Sequence, residues 1–144
     1  MTWTETQLQT ARELVAIAQK YGTIPRLLLL GVCLQESGLA PGALNSADPE
    51  GSYGPFQLNQ VAHPGTAFLA TNPWYDYGYP EVRARWESSY ASLGGDTAWA
   101  ATSVSSRGDF LAQFAPAAQG SIAWPVGLGQ TRYIQAIDVL EAVS

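Results

Sequence analysis

Apolar residues recur at helical spacing over the first turns of the chain, where Leu8, Ala11, Val15 and Ala18 form one stripe that ends at Gly22. This spacing predicts a helix from Thr4 to Tyr21. The pattern then changes. From Pro25 to Ser37 the run Leu27-Leu28-Leu29-Leu30-Gly31-Val32-Cys33-Leu34 has no polar face, which predicts a helix buried on all sides. Gly38 can take the left-handed cap and Pro41 cannot continue the helix, so the chain stops and turns there. Residues 41–52 are dense in turn formers, and Tyr53 to Asn59 alternates as a short extended segment whose Gly and Pro suit an edge or a bulge. Val61 to Pro80 reads as loop with one helical turn at Thr66 to Ala70. Further helices are predicted from Pro80 or Glu81 to Leu93, from Asp96 through Trp99, from Arg107 to Ala115, and from a Thr131 cap through Tyr133, Ile137 and Val143. The whole pattern predicts a mainly α chain of about six helices with a small β element of two or three strands beside the second helix. No internal repeat, coiled-coil seam or linker composition interrupts it.

Within this pattern Glu36 stands out, because the helical period places it in one row with Leu29, Val32 and Cys33. Desolvation and the partial negative charge of a helix C-terminus both push a carboxyl in this position toward its protonated form, which is what a general acid requires. A Glu at a fraying helix end can equally turn into water, and the helix alone leaves both readings open. The loop that follows carries Asp48 and Glu50, and the extended segment brings Tyr53, Gly54, Gln57 and Asn59. Asp48 precedes Pro49, so it can be a turn residue as well as a working carboxylate. Cys33 reads as a small hydrophobe, and His63, in Ala62-His63-Pro64-Gly65, as a turn residue at the surface or behind the site. Trp74-Tyr75-Asp76-Tyr77-Gly78-Tyr79 places four aromatics in a turn-rich stretch, either as a cleft wall for sugar rings or as packing across the helices.

Glu36-Ser37-Gly38-Leu39-Ala40-Pro41, followed by Gly51-Ser52-Tyr53-Gly54-Pro55-Phe56-Gln57-Leu58-Asn59, resembles the lysozyme-like fold of the goose-type lysozymes and soluble lytic transglycosylases. Those families carry a Glu-Ser pair and then a Gly-x-x-Gly-apolar-apolar-Gln strand, and Gln57-Leu58-Asn59 with His63-Pro64 is similar to versions borne by bacteriophages. The resemblance implies an α+β lysozyme-like fold around a central catalytic helix, and cleavage of peptidoglycan between N-acetylmuramic acid and N-acetylglucosamine. It implies Glu36 as the proton donor, with Tyr53, Gly54, Gln57, Asn59, Trp74 and Tyr75 along the cleft. Asp48 falls where goose-type lysozymes place a carboxylate thought to position water, whereas the transglycosylases commonly carry Ser there, so the chain leans toward a muramidase. An inverting hydrolase needs such a base about 6.5–9.5 Å from the acid. A lytic transglycosylase instead closes a 1,6-anhydro ring with the substrate's own groups and needs no base. Asn59 stands where goose-type enzymes often place a further Asp, and an amide cannot take a proton from water. Tyr133 matches the late cleft tyrosine of these families, although their Asn-x-x-Tyr-Gly motif is not evident here. Two readings of other classes remain: a non-catalytic phage tail or wall-binding module that keeps the fold, and a helical scaffold with no sugar site.

Composition narrows the partners. At 144 residues with 47% apolar and 13% charged positions, the chain is expected to form one domain, residues 1–144, with a substantial core. A net charge of −5, with Lys20 as the single lysine among seven cations, offers no basic stripe for nucleic acid and no electrostatic help toward an anionic wall. One Cys and one His exclude an internal disulfide and the usual zinc sites, so neither metal nor cofactor is expected. The first residues carry no basic region, and the Leu27–Leu34 run is too short to span a bilayer and too late to be a signal peptide. The expected setting is therefore a phage product acting on the bacterial wall, packaged in the virion, released through a holin, or forming part of a longer tail protein.

Overall fold

A computed structural model of the chain describes residues 2–45, 51–59, 63, 77–119 and 124–144. The protein is mainly helical, with six helices among the described residues. They are α1 (Glu5–Tyr21), α2 (Arg26–Ser37), α3 (Pro80–Ser92), α4 (Gly95–Ala100), α5 (Val104–Gln119) and α6 (Leu128–Val143). Between α2 and α3 lie three strands, β1 (Leu44–Asn45), β2 (Ser52–Tyr53) and β3 (Leu58–Asn59), paired antiparallel in that order. Leu44 faces Tyr53, and Tyr53 faces Leu58.

The first two helices follow the sequence closely. Thr4 caps α1 with a reciprocal box: its Oγ1 accepts from the Gln7 N–H at 3.1 Å while its own N–H donates to Gln7 Oε1 at 2.9 Å. α2 ends at Gly38, whose left-handed φ of 64° only glycine adopts at no steric cost, and whose N–H returns to the Leu34 carbonyl. Every residue of α2 from Leu28 to Leu34 is buried, so this helix runs through the core with no solvent stripe. α6, α1 and α5 pack around it.

Elsewhere the structure differs from the expected elements. Tyr53 to Asn59 is not one extended segment but a hairpin, because Gly54–Gln57 turns and the chain doubles back. The Gln57 N–H closes that turn on the Gly54 carbonyl at 3.0 Å. The fifth helix is Val104–Gln119 rather than Arg107–Ala115. Ser103 starts it early by pairing its backbone N–H with Ser106 Oγ at 2.9 Å, and Pro116 is accommodated inside it. The last helix starts at Leu128, after Gly127 at φ 85°, not at Thr131, whose hydroxyl instead donates back to the Gly127 carbonyl at 3.3 Å. The helical turn expected at Thr66 to Ala70 lies outside the described residues.

A row of aromatic rings crosses the core. Tyr21 meets Tyr77, Tyr77 meets Trp86, Trp86 meets Phe114, and the contacts continue through Tyr90, Phe110 and Trp99 to Tyr133, mostly edge to face at centroid separations of 5.4–6.3 Å. Phe56, from the hairpin turn, packs against both Tyr77 and Trp86 and is fully buried. This geometry sets the quadrupole edge of one ring against the face of the next. Tyr77, 1% exposed, is therefore a core residue and not a cleft wall. The same holds for Tyr133, also 1% exposed, whose hydroxyl accepts from Arg107 at 2.9 Å while that guanidinium lies over Trp99.

Candidate functional site

Glu36 sits in the last turn of α2 and is half-buried. Its immediate neighbours tie that turn to three different elements. Before it, Gln35 Oε1 accepts from Arg132 Nε of α6 at 2.7 Å. After it, Ser37 Oγ donates to the Pro55 carbonyl of the hairpin turn at 2.6 Å. Two residues on, the Gly38 carbonyl accepts from Gln7 Nε2 of α1 at 3.2 Å. Glu36 is thus carried on a mount fixed from three sides.

Arg132 is itself aligned by Gln135, whose Oε1 accepts from Nη1 at 2.8 Å. The Pro55 carbonyl also accepts the Cys33 thiol at 3.2 Å, so Cys33 is more than a filler of apolar space. These contacts draw Glu36-Ser37 and Gly54-Pro55-Phe56-Gln57, distant in sequence, into one locus.

Gln57 adopts a left-handed φ of 50°, unusual for a residue with a side chain. Its Nε2 donates to the carbonyls of Ala43 and Gly54, each at 3.0 Å, while the Gly54 N–H donates to the Ala43 carbonyl at 2.8 Å. One end of the Gln57 amide is thus occupied in holding the hairpin. Gly54 is buried, and Tyr53 is half-buried with its ring over Gly51. The backbone of Asn59 pairs with Ser52 in the sheet. Asp48, Trp74 and Tyr75 lie outside the described residues, as does Glu50. His63 is buried at 6% exposure, so of the two placements expected for it, at the surface or behind the site, the surface one does not hold.

Three contributors to this locus carried no functional signal in the sequence: Gln7, Gln35 and Arg132. Their hydrogen bonds span 31 and 97 residues, and only the folded arrangement of α1, α2 and α6 brings them together.

One recess among the described residues, about 350 Å³, is lined by Val15, Ala18, Ile24, Pro25, Arg26 and Asp96. It opens at the start of α2, ten residues or about 15 Å of helix rise from Glu36. Among the described residues no group of three or more His, Cys, Asp or Glu could hold a metal ion, and no helix is long and apolar enough to cross a membrane. The chain has no significant match among protein-family models, curated proteins or solved structures.

Proposed function

We propose that this chain cleaves the glycan strand of bacterial peptidoglycan between N-acetylmuramic acid and N-acetylglucosamine, with Glu36 as general acid. The observation that supports this reading is the Ser37–Pro55 hydrogen bond, which seats the Glu-Ser pair directly on the Gly54–Gln57 turn. Two halves of a motif that resembles the goose-type lysozymes and lytic transglycosylases thereby share one site.

In the proposed reaction the Glu36 carboxyl gives its proton to the glycosidic oxygen as the bond to the muramic anomeric carbon breaks, leaving an oxocarbenium-like centre. In the hydrolytic form a water attacks that centre from the opposite face. Asp48, the carboxylate assigned from sequence, orients the water and takes its proton. The transglycosylase form remains as the second reading. Asn59, in β3, carries an amide where goose-type enzymes often carry a carboxylate, so one expected proton acceptor is missing. In that form the 6-hydroxyl of the muramic residue attacks its own anomeric carbon and gives its proton to the Glu36 carboxylate left by the first step, and Asp48 is structural.

Digestion of purified peptidoglycan by the wild type and by Glu36→Gln, with the soluble muropeptides identified by mass, tests the proposal. Loss of a general acid lowers the rate by about 10²–10⁴. Reducing muramic ends made by the wild type and lost in the variant establish the muramidase, and anhydro ends establish the transglycosylase. No soluble product from several wall types would overturn cleavage and favour a glycan-binding module.

A further inference from the structure

α5 and α6 touch through two residues without side chains. A Cβ on Gly129 would collide with the Gly108 carbonyl oxygen, and one on Gly108 would collide with the Gln130 backbone. This close approach sinks the surface where the helices meet. The side chains next to the contact, Asp109 and Gln113 of α5, and the incoming segment Trp124–Gly127 stand around a recess of about 300 Å³ with Gly129 in its lining. Trp124 is half-buried, packed against the core, while Asp109 and Gln113 are exposed.

We propose that this recess is a sugar subsite that holds one N-acetylated pyranose ring of the glycan; the proposal rests on the glycan-cleavage reading. Its volume stands at the lower end of the ~300–1,000 Å³ typical of small-molecule sites, which suits one ring rather than a chain. The indole offers a flat apolar face to the C–H face of a pyranose. Asp109 accepts from sugar hydroxyls, and Gln113 both donates and accepts, which suits the hydroxyl and acetamido groups. Asp109 is the only charged residue among the described residues of the lining, so the recess disfavours phosphate and carboxylate, and a neutral polar ligand is compatible with it.

Its location relates it to the acid. α6 begins at the recess, and Arg132, three residues or about 4.5 Å of helix rise beyond Gly129, bonds to Gln35, the residue before Glu36. The recess and the acid therefore occupy the same end of the α2–α6 pair. A strand cut at Glu36 would be gripped by a neighbouring ring, and the subsite adds binding without adding chemistry.

The test is a titration of the Glu36→Gln protein with the β-1,4-linked tetramer of N-acetylglucosamine, followed in the ¹⁵N–¹H spectrum. The Trp124 indole N–H resonance should move, and Trp124→Ala should raise Kd about tenfold. Because Trp124 also packs on the core, the exposed variants Asp109→Ala and Gln113→Ala serve beside it; each should raise Kd about two- to tenfold without changing thermal stability. If the sugar shifts the amides of Gly54 and Phe56 to Leu58 while the Trp124 indole stays still and all three variants bind like the parent, the subsite is overturned and the glycan reading survives. If the sugar moves no resonance and the wild type releases no muropeptide, the glycan reading falls and the subsite with it.

Discussion

Ser37 Oγ lies 2.6 Å from the Pro55 carbonyl oxygen, nearer than the 3.3 Å to the Cys33 carbonyl within its own helix. Its single proton therefore serves the hairpin, and its lone pair accepts the Ala40 N–H at 3.2 Å. One hydroxyl joins the end of α2, the chain reversal after it and the turn opposite. Ser37→Ala should destabilise the protein by about 1–2 kcal/mol, since it leaves a buried carbonyl with only a thiol donor. Urea unfolding should show a lower midpoint at unchanged slope, and, under the proposed function, glycan cleavage should fall further than stability alone explains. An unchanged midpoint would mean that the hairpin is seated without this bond.

Gln57 separates two effects in one side chain. Gln57→Ala loses both amide bonds and keeps the left-handed backbone, whereas Gln57→Gly loses the same bonds but relieves the conformation. The glycine variant should be the more stable of the two by about 1 kcal/mol. Chemical denaturation of the pair measures this difference directly, and the reverse order would show that the turn abandons φ > 0 once the amide is gone.

Gly129→Ala tests the helix contact beneath the proposed subsite. The obstacle to the new methyl is the Gly108 backbone, which cannot rotate away as a side chain can. A loss of about 2–3 kcal/mol is expected, seen as a lowered Tm. A Tm equal to the wild type would mean that α5 and α6 can separate at no cost.

Two buried tyrosines predict the alkaline limit. Burial pushes the pKa of Tyr77 well above its ordinary 10.0, with the Glu87 charge adding and Arg83 opposing. Burial does the same for Tyr90, helped by its 2.7 Å hydrogen bond to Asp96 and by that carboxylate's charge. A folded-state pKa above the unfolded value means that the folded state holds the proton more tightly, so the stabilisation is complete below pH 10 and is lost as pH rises past it. Each tyrosine should contribute a fall of about 1.4 kcal/mol per pH unit in that window. Tyr90→Phe should roughly halve the slope of unfolding free energy against pH above 10, while Glu36→Gln should leave it unchanged.

The first two helices were the most legible in the sequence. Thr4, Gly22 and Gly38 mark helix ends through local chemistry, and the unbroken apolar run of α2 has few structural solutions other than a helix through the core. The ends of α5 and α6 were harder to read, because a start at Ser103–Ser106, a Pro116 accommodated inside the helix and a glycine start at Gly127 are weaker sequence signals than a capping box or an unbroken apolar run. Tyr77 and Tyr133 show a second limit. A tyrosine suited to stack on a sugar is equally suited to a ring cluster, and the partners that decide, Trp86 and Phe56 for one and Trp99 and Arg107 for the other, lie dozens of residues apart in several cases. Gln7 and Arg132 were silent for the same reason, since a polar residue on a helix does not announce which distant carbonyl or amide it will meet.

The three strands are each two residues long, too short for a sheet to persist by its own ladder. Phe56 is what retains it, locked among Tyr77 and Trp86 in the aromatic row. The hairpin consequently has no private opening reaction: freeing it requires extracting that ring from the middle of the protein. Its amides should exchange with solvent deuterium only through whole-molecule unfolding, at the same free energy as those of α2. A loop-sized structure would then carry the protection of the deepest helix, and the geometry around Glu36 would last as long as the native state does.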